Sequence, residues 1–229
     1  MASPRDMDDE VGEAISAFKS GRPVMIYDSD YREMETDLLW HAAAATPEVI
    51  RRLRNDCGGL LFLAIGDEIG EMFGLPWLQD IHSHKTLVEE NPVLGHLVTN
   101  DLQYDSRSAF TLSLNHRETY TGITDRDRSL TTRRFGELSG ELLEKGENGA
   151  GAKERLGKEF RTPGHIPVCR ESPGGLKTRQ GHTELAVSIA RLAGLTACTI
   201  GAEMLEPEGD GALSVEGARG YANSHGIPM

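Results

Sequence analysis

The sequence predicts an α+β fold layered in the α/β manner: one mixed sheet packed with helices in a single compact domain. Three observations carry this. Short apolar runs of strand length alternate with segments of helical period. A chain of 229 residues is long enough for one core and short for two. No internal repeat divides it.

The elements follow in order. Val11, Ile15 and Phe18 mark a first helix, stopped by Gly21 and Pro23. Val24 to Asp28 reads as a buried strand. Thr46-Pro47 supplies an N-cap with proline at the first helical position, opening a helix through Val49, Ile50 and Leu53. Gly58-Gly59 ends it, and Leu60 to Ile65 is an apolar strand. Asp67 caps a short helix reaching Phe73. Ile81 to Val98 has no clear period and reads as loop. Ala109 to Leu114 alternates like a strand. Thr124 with Asp127 has the form of a capping box, opening a helix towards Leu138. Gly146 to Gly157 reads as a polar, glycine-rich connection. Ala197 to Ile200 is a late strand, with Glu203 just past it. The folded domain is expected over residues 1–206, and residues 207–229 as a mobile acidic, Gly-rich tail.

Composition excludes several functions. A formal charge of −12 opposes sequence-independent nucleic-acid binding, which needs a basic face. Hydrophobic content is 38%, and no apolar run reaches the length of a membrane span. Met1 to Asp6 has no apolar signal core, so a cytoplasmic location is expected. Cys57, Cys169 and Cys198 form no Cys-x-x-Cys pair and read as reduced thiols. Lysine is scarce and arginine preferred. On so acidic a chain this points to a salt-adapted, halophilic source, since salt screens carboxylate repulsion.

Two motifs carry chemistry. The first is Arg161-Thr-Pro-Gly-His165, followed by Arg179-Gln-Gly-His-Thr-Glu184. The second stretch runs into a helix marked by Leu185, Ile189 and Leu192, with Thr183 as expected N-cap and Gly194 as stop. A helix N-terminus carries free N–H groups and partial positive charge, so it binds anions. Arg179 adds a planar cation, and His182 is a candidate metal ligand at the rim. His165 follows Pro-Gly, where a turn would expose its imidazole.

The second motif is Asp28-Ser-Asp-Tyr-Arg-Glu-Met-Glu-Thr-Asp37. Read as extended chain, Glu33, Glu35 and Asp37 fall on one side. Three carboxylates on one face repel one another unless a cation or Arg32 compensates. A hard divalent ion prefers such oxygen ligands. Standing alone in so acidic a chain, the segment reads more readily as a solvated acidic turn than as a metal site.

In this order, these segments resemble the 3,4-dihydroxy-2-butanone 4-phosphate synthase family. The resemblance runs from about Val11 to about Leu205. It is carried also by Ala45-Thr-Pro-Glu48, Ala109-Phe-Thr-Leu-Ser113, Thr121-Gly-Ile-Thr-Asp-Arg-Asp-Arg128 and Glu203-Met204. It implies conversion of D-ribulose 5-phosphate to L-3,4-dihydroxy-2-butanone 4-phosphate and formate in riboflavin biosynthesis. It implies Mg²⁺, or Mn²⁺ in its place, with two ions per active site. By the matching motifs, Glu33 and His182 are metal ligands. Arg32, Asp37, Thr121, Arg179, Gln180, Gly181 and Thr183 bind substrate. His165 and Glu203 are catalytic, with Glu35 a proton carrier or supporting acid. Some of Asp125, Asp127 and Arg128 are expected to touch substrate as well. The family works as a homodimer with active sites near the interface, and the expectation is that His165 acts across it. One departure stands out: relatives often carry a cysteine in the strand where this chain has Phe62 or Ala64. Two other readings compete. One is a different metal-dependent phosphosugar lyase or isomerase on the same scaffold. The other is a non-catalytic sensor of phosphosugar or metal.

Overall fold

A computed structural model describes residues 4–98 and 101–229 of the chain. Residues 1–3, the start of the expected domain, lie outside the described residues. Helix α1 (Pro4–Lys19) precedes β1 (Val24–Tyr27) and β2 (Thr36–His41). Next come α2 (Pro47–Asp56), β3 (Phe62–Ile65), α3 (Asp67–Phe73), α4 (Leu78–His82), α5 (Lys85–Glu90) and α6 (Leu94–Leu97). Strand β4 (Phe110–His116) leads to α7 (Asp125–Glu144), α8 (Gly149–Glu159) and β5 (Phe160–Arg170). The chain closes with α9 (His182–Leu192), β6 (Cys198–Glu203) and α10 (Val215–His225).

The six strands form one mixed sheet in the order β1-β2-β6-β3-β5-β4. Only the β3–β5 pair is parallel among the described strands. Strand side chains alternate between two faces, and the core divides accordingly. Leu38, Trp40, Leu63, Ile65, Ile200 and Ala202 pack on one face with α2, α3, α7, α8 and α10. Leu39, Phe62, Ala64 and Cys169 pack on the other with α1 and α9. Phe135 of α7 is fully buried against Phe73 and Phe160. Truncating it to alanine is expected to cost ~3–5 kcal/mol.

Local signals explain most starts and stops. The Thr46 side chain accepts from Val49 N with Pro47 at the first position, and Thr124 accepts from Asp127 N. Several expectations are corrected. Residues 81–98 hold the end of α4 and two further short helices, α5 and α6, rather than loop. Gly149–Glu159 is the helix α8, because Ala152 is fully buried and fastens it to the core. Residues 207–229 are not a loose tail. Ser214 caps α10, and Ala218, Ala222 and Ile227 join the core. Pro228 O then accepts from Met25 N on the edge strand β1. Asp67 is the first helical residue of α3, with Gly66 at the cap.

Candidate active site

Alternation decides which side chains reach the site. On β2, Leu38 and Trp40 face the larger core, so Asp37 turns to the α9 side. On β6, Ile200 and Ala202 do the same, and Glu203 turns with Asp37. Helix α9 lies over this face, and its first turn brings His182 and Thr183. The result is a cavity of about 280 Å³ whose walls include Glu33, Phe62, Cys169, Arg179, His182 and Glu203.

The acidic motif is not extended as expected. Residues 30–33 form a turn, and Met34 sits in the left-handed region at φ 56°. The buried Asp28 carboxylate shapes this turn. It accepts from Glu33 N at 2.8 Å and Glu35 N at 3.1 Å. Glu33, Glu35 and Asp37 therefore do not share one face of a strand. Glu33 is swung towards His182 instead.

The His182 ring sits between two sets of oxygens. Its Nε2 lies 3.1 Å from the Glu35 carbonyl and 3.5 Å from Asp37 Oδ1. A carbonyl only accepts, so Nε2 carries hydrogen. Nδ1 then faces Glu33 Oε2 at 3.3 Å. Two lone pairs at that separation need a cation between them. In the metal-free chain a proton serves: burial lowers the His182 pKa, but Asp37 and Glu33 outweigh it and raise it to about 9. The Glu33 carboxyl is held below its ordinary value by the same hydrogen bond.

A divalent cation fits the same place. Ligand atoms of Asp28, Glu33 and His182 lie within 4.8 Å of one another. A metal-bound histidine that donates its other ring N–H to a carbonyl has the usual supporting arrangement. Both oxygens of Asp37 are buried without a hydrogen-bond partner, a costly state that calls for a ligand. Burial pushes the Asp37 carboxyl well above the ordinary range, and pushes Glu203 and Glu35 upward too.

Glu203 is aimed by the turn before β3. Leu60 N donates to its Oε2 at 2.7 Å. Gly59 makes room, since a Cβ there would meet Oε2 at 2.5 Å. Arg179 is fixed by the buried carboxylate of Glu184 at 2.5 Å and by Asp105 at 2.8 Å. Its guanidinium folds against Gly181, where any Cβ would collide with it. Thr183 is not the cap of α9. Gly181 holds that position and His182 is already helical, which is why its ring can turn back to Glu33. Gln180 stands in the same turn, exposed to solvent. Arg32 pairs with Glu33 at 2.7 Å and with Asp105 at 2.7 Å.

His165 and Thr121 lie outside this wall. His165 is inside strand β5, not on a turn; its N–H donates to Asn115 Oδ1 at 2.9 Å. Thr121 belongs to a turn gathered by Asp127, whose carboxylate accepts from Tyr120, Thr121 and Gly122 N–H groups. Asp125 is engaged by Arg54 and Arg128. Asp125 and Asp127 thus organise the start of α7. The sequence reading missed Asp105 and Cys169. Cys169 stands beside Ala64 across the β3–β5 pair, so a sulfur reaches the cavity from the neighbouring strand. Burial raises its thiol to about 12, which keeps it protonated at neutral pH.

Comparison with known proteins follows the same lines. A family model for 3,4-dihydroxy-2-butanone 4-phosphate synthase matches residues 12–229. The 3,4-dihydroxy-2-butanone 4-phosphate synthase of Methanosarcina acetivorans is 40% identical over 221 residues, spanning 96% of this chain and 86% of that protein. That of Methanothermobacter thermautotrophicus is 39% identical over 217 residues, spanning 95% and 90%. A crystal structure of a 3,4-dihydroxy-2-butanone 4-phosphate synthase with two magnesium ions superposes with a TM-score of 0.69 at 25% identity, covering 95% of this chain and 90% of its own. The Candida albicans enzyme gives 0.69 at 27% identity, covering 95% and 91%.

Proposed function

From a chain that belongs to the 3,4-dihydroxy-2-butanone 4-phosphate synthase family, we propose how the site residues divide the family's work. The protein is an enzyme of riboflavin biosynthesis. It is a lyase converting D-ribulose 5-phosphate to L-3,4-dihydroxy-2-butanone 4-phosphate and formate with a divalent metal. The observation that carries the assignment of roles is the facing pair Glu33 Oε2 and His182 Nδ1, 3.3 Å apart with a cation required between them.

Glu33 and His182 hold the metal, with Mg²⁺ the ordinary ion, Mn²⁺ its substitute, and two ions per site. When bound, the metal stabilises the charge of an enediolate and orients adjacent substrate oxygens. Arg179 and the free N–H groups at the start of α9 take the phosphate, with Gln180, Gly181 and Thr183 shaping that end. Glu203 moves the proton at the carbon beside the carbonyl, since its raised pKa and fixed carboxylate suit a general base. Asp37 accepts substrate hydroxyl hydrogens on its orphaned oxygens. Glu35 relays protons, and Arg32 neutralises the acidic turn.

A homodimer is part of the proposal, with His165 and Thr121 serving the neighbouring site. Its support is their position outside the cavity beside exposed apolar groups: Tyr120 is 93% and Ile123 52% exposed. A cytoplasmic location rests on the reduced thiols. No described helix is long and apolar enough to cross a membrane.

The test is direct. Purified protein with ribulose 5-phosphate and Mg²⁺ should release formate in step with substrate loss, and chelation should stop it. An isomerase or aldolase yields no formate. Glu33→Gln and His182→Ala should abolish metal-dependent turnover while remaining folded. Full activity in either overturns the metal assignment.

A further inference from the structure

Two arginines from distant segments present one corner each to a single point. Arg32 Nη1 is engaged by Glu33 at 2.7 Å and lies 3.8 Å from Asp28. Arg179 Nη1 is engaged by Glu184, itself fully buried, at 2.5 Å. Each guanidinium is thus fixed along its inner edge. The outer Nη2 atoms converge on one oxygen, Oδ2 of Asp105, at 2.7 Å from Arg32 and 2.8 Å from Arg179. Guanidinium groups converging on one oxygen are the means by which proteins hold a carboxylate or phosphate.

Asp105 comes from no rigid element. Residues 101–109 contain neither helix nor strand. The segment is fastened just beyond it. Arg107 lies 3.8 Å over the Trp77 ring and 3.5 Å from Asp80, and Ser108 N donates to Gln79 Oε1 at 3.3 Å. From that anchor Asp105 reaches into the cavity, whose wall it shares with Glu33, Arg179, His182 and Glu203.

We infer that Asp105 is the chain's own occupant of an oxyanion subsite formed by Arg32 and Arg179, and that a phosphorylated ligand takes its place. This rests on the reading that Arg179 receives the substrate's phosphate. Displacement follows from two facts. Both arginines are already held without Asp105, so it is not needed to fix them. A phosphate added beside it would set two anions on the same pair of cations. A tethered carboxylate competes at a fixed effective concentration, which raises the threshold for every anion entering the subsite. A phosphate dianion, with more charge and more acceptor oxygens, overcomes this more readily than chloride or a carboxylate. Asp105 is therefore a specificity-determining residue for phosphorylated ligands.

The experiment uses the full chain and two probes, inorganic phosphate by calorimetry and ribulose 5-phosphate by steady-state kinetics. Asp105→Asn keeps the shape and removes the charge, and Asp105→Ser repeats the test with a shorter side chain. With a tethered competitor at millimolar effective concentration, both variants should bind phosphate ~10-fold tighter. KM should fall similarly, and chloride should inhibit more strongly than in the parent. Unchanged or weaker phosphate binding with a raised KM makes Asp105 a brace for the arginines and overturns the inference. Arg179→Ala run in parallel separates the two failures. If it weakens phosphate while the Asp105 variants do not tighten it, only the Asp105 inference fails. If it binds phosphate like the parent, the phosphate reading fails first and the inference with it.

Discussion

Asp37 and Glu203 stand opposite each other on the β2–β6 ladder, both turned to the face covered by α9. Burial raises both carboxyl groups, and Glu203 adds to the rise at Asp37. As a base, Glu203 works only when ionised. Turnover should therefore rise with pH through a value above the ordinary carboxylate range, measured as the acid limb of kcat against pH. A limb at the usual glutamate value would remove Glu203 as the base.

Stability should depend on pH through His182. Its folded pKa is raised from 6.5 to about 9. A raised histidine stabilises the fold fully below its unfolded value and loses that contribution as pH climbs through the folded one. Metal-free protein should thus lose thermal stability between pH 6.5 and 9. Saturating Mg²⁺ replaces the proton, so its stabilisation should grow over the same window. Melting curves with and without Mg²⁺ check this, and parallel curves would count against a shared proton and metal position.

Arg179→Ala should raise KM for ribulose 5-phosphate by ~10–100-fold, the worth of a charge-assisted contact of ~1.5–3 kcal/mol. Unphosphorylated ribulose should be a poor substrate for the parent and hardly change in the variant. Equal efficiency of the two sugars in the parent would contradict the phosphate site.

Gly59→Ala tests the aim of Glu203 without touching a charged group. The new Cβ meets the Glu203 carboxylate and main chain. A shift of this size in a positioned base is expected to lower kcat by ~10²-fold. KM should move little. Wild-type kcat would show that Glu203 need not be held by this turn.

Subunit mixing tests the shared site. His165→Ala and Glu33→Gln homodimers should each be inactive. After exchange, some mixed dimers should regain one working site. No recovery despite proven exchange rejects the trans arrangement, and a monomeric mass in light scattering rejects the dimer.

Much of this could be read from residue order, for reasons visible in particular places. Thr46-Pro47 and Thr124 are local caps whose chemistry does not depend on the rest of the fold. The glycine-rich stretch 149–159 hid a helix because its stability comes from burying Ala152, a tertiary effect with no local signature. The helices between Leu78 and Leu97 bury none of their residues, so no apolar stripe betrays them. The acidic turn was misjudged because Met34 adopts a left-handed conformation that side chains seldom take. Asp105 carries no motif; its meaning arises only where Arg32 and Arg179 meet. Cys169 illustrates the same limit, since adjacency to Ala64 exists only across the β3–β5 pair.

Strand β6, latest in chain order among the described strands, lies in the middle of the sheet, between β2 and β3. Until residues 198–203 insert, the growing chain is two unfinished ribbons, β1–β2 and β3–β5–β4, each with an open inner edge. Open edges pair with whatever is near, and joining distant segments is slow. Asp37 waits on one ribbon and Cys169 on the other. A nascent chain halted before Cys198 should therefore be a chaperone client that retains no Mg²⁺, and competence should arrive all at once when residues 198–203 insert.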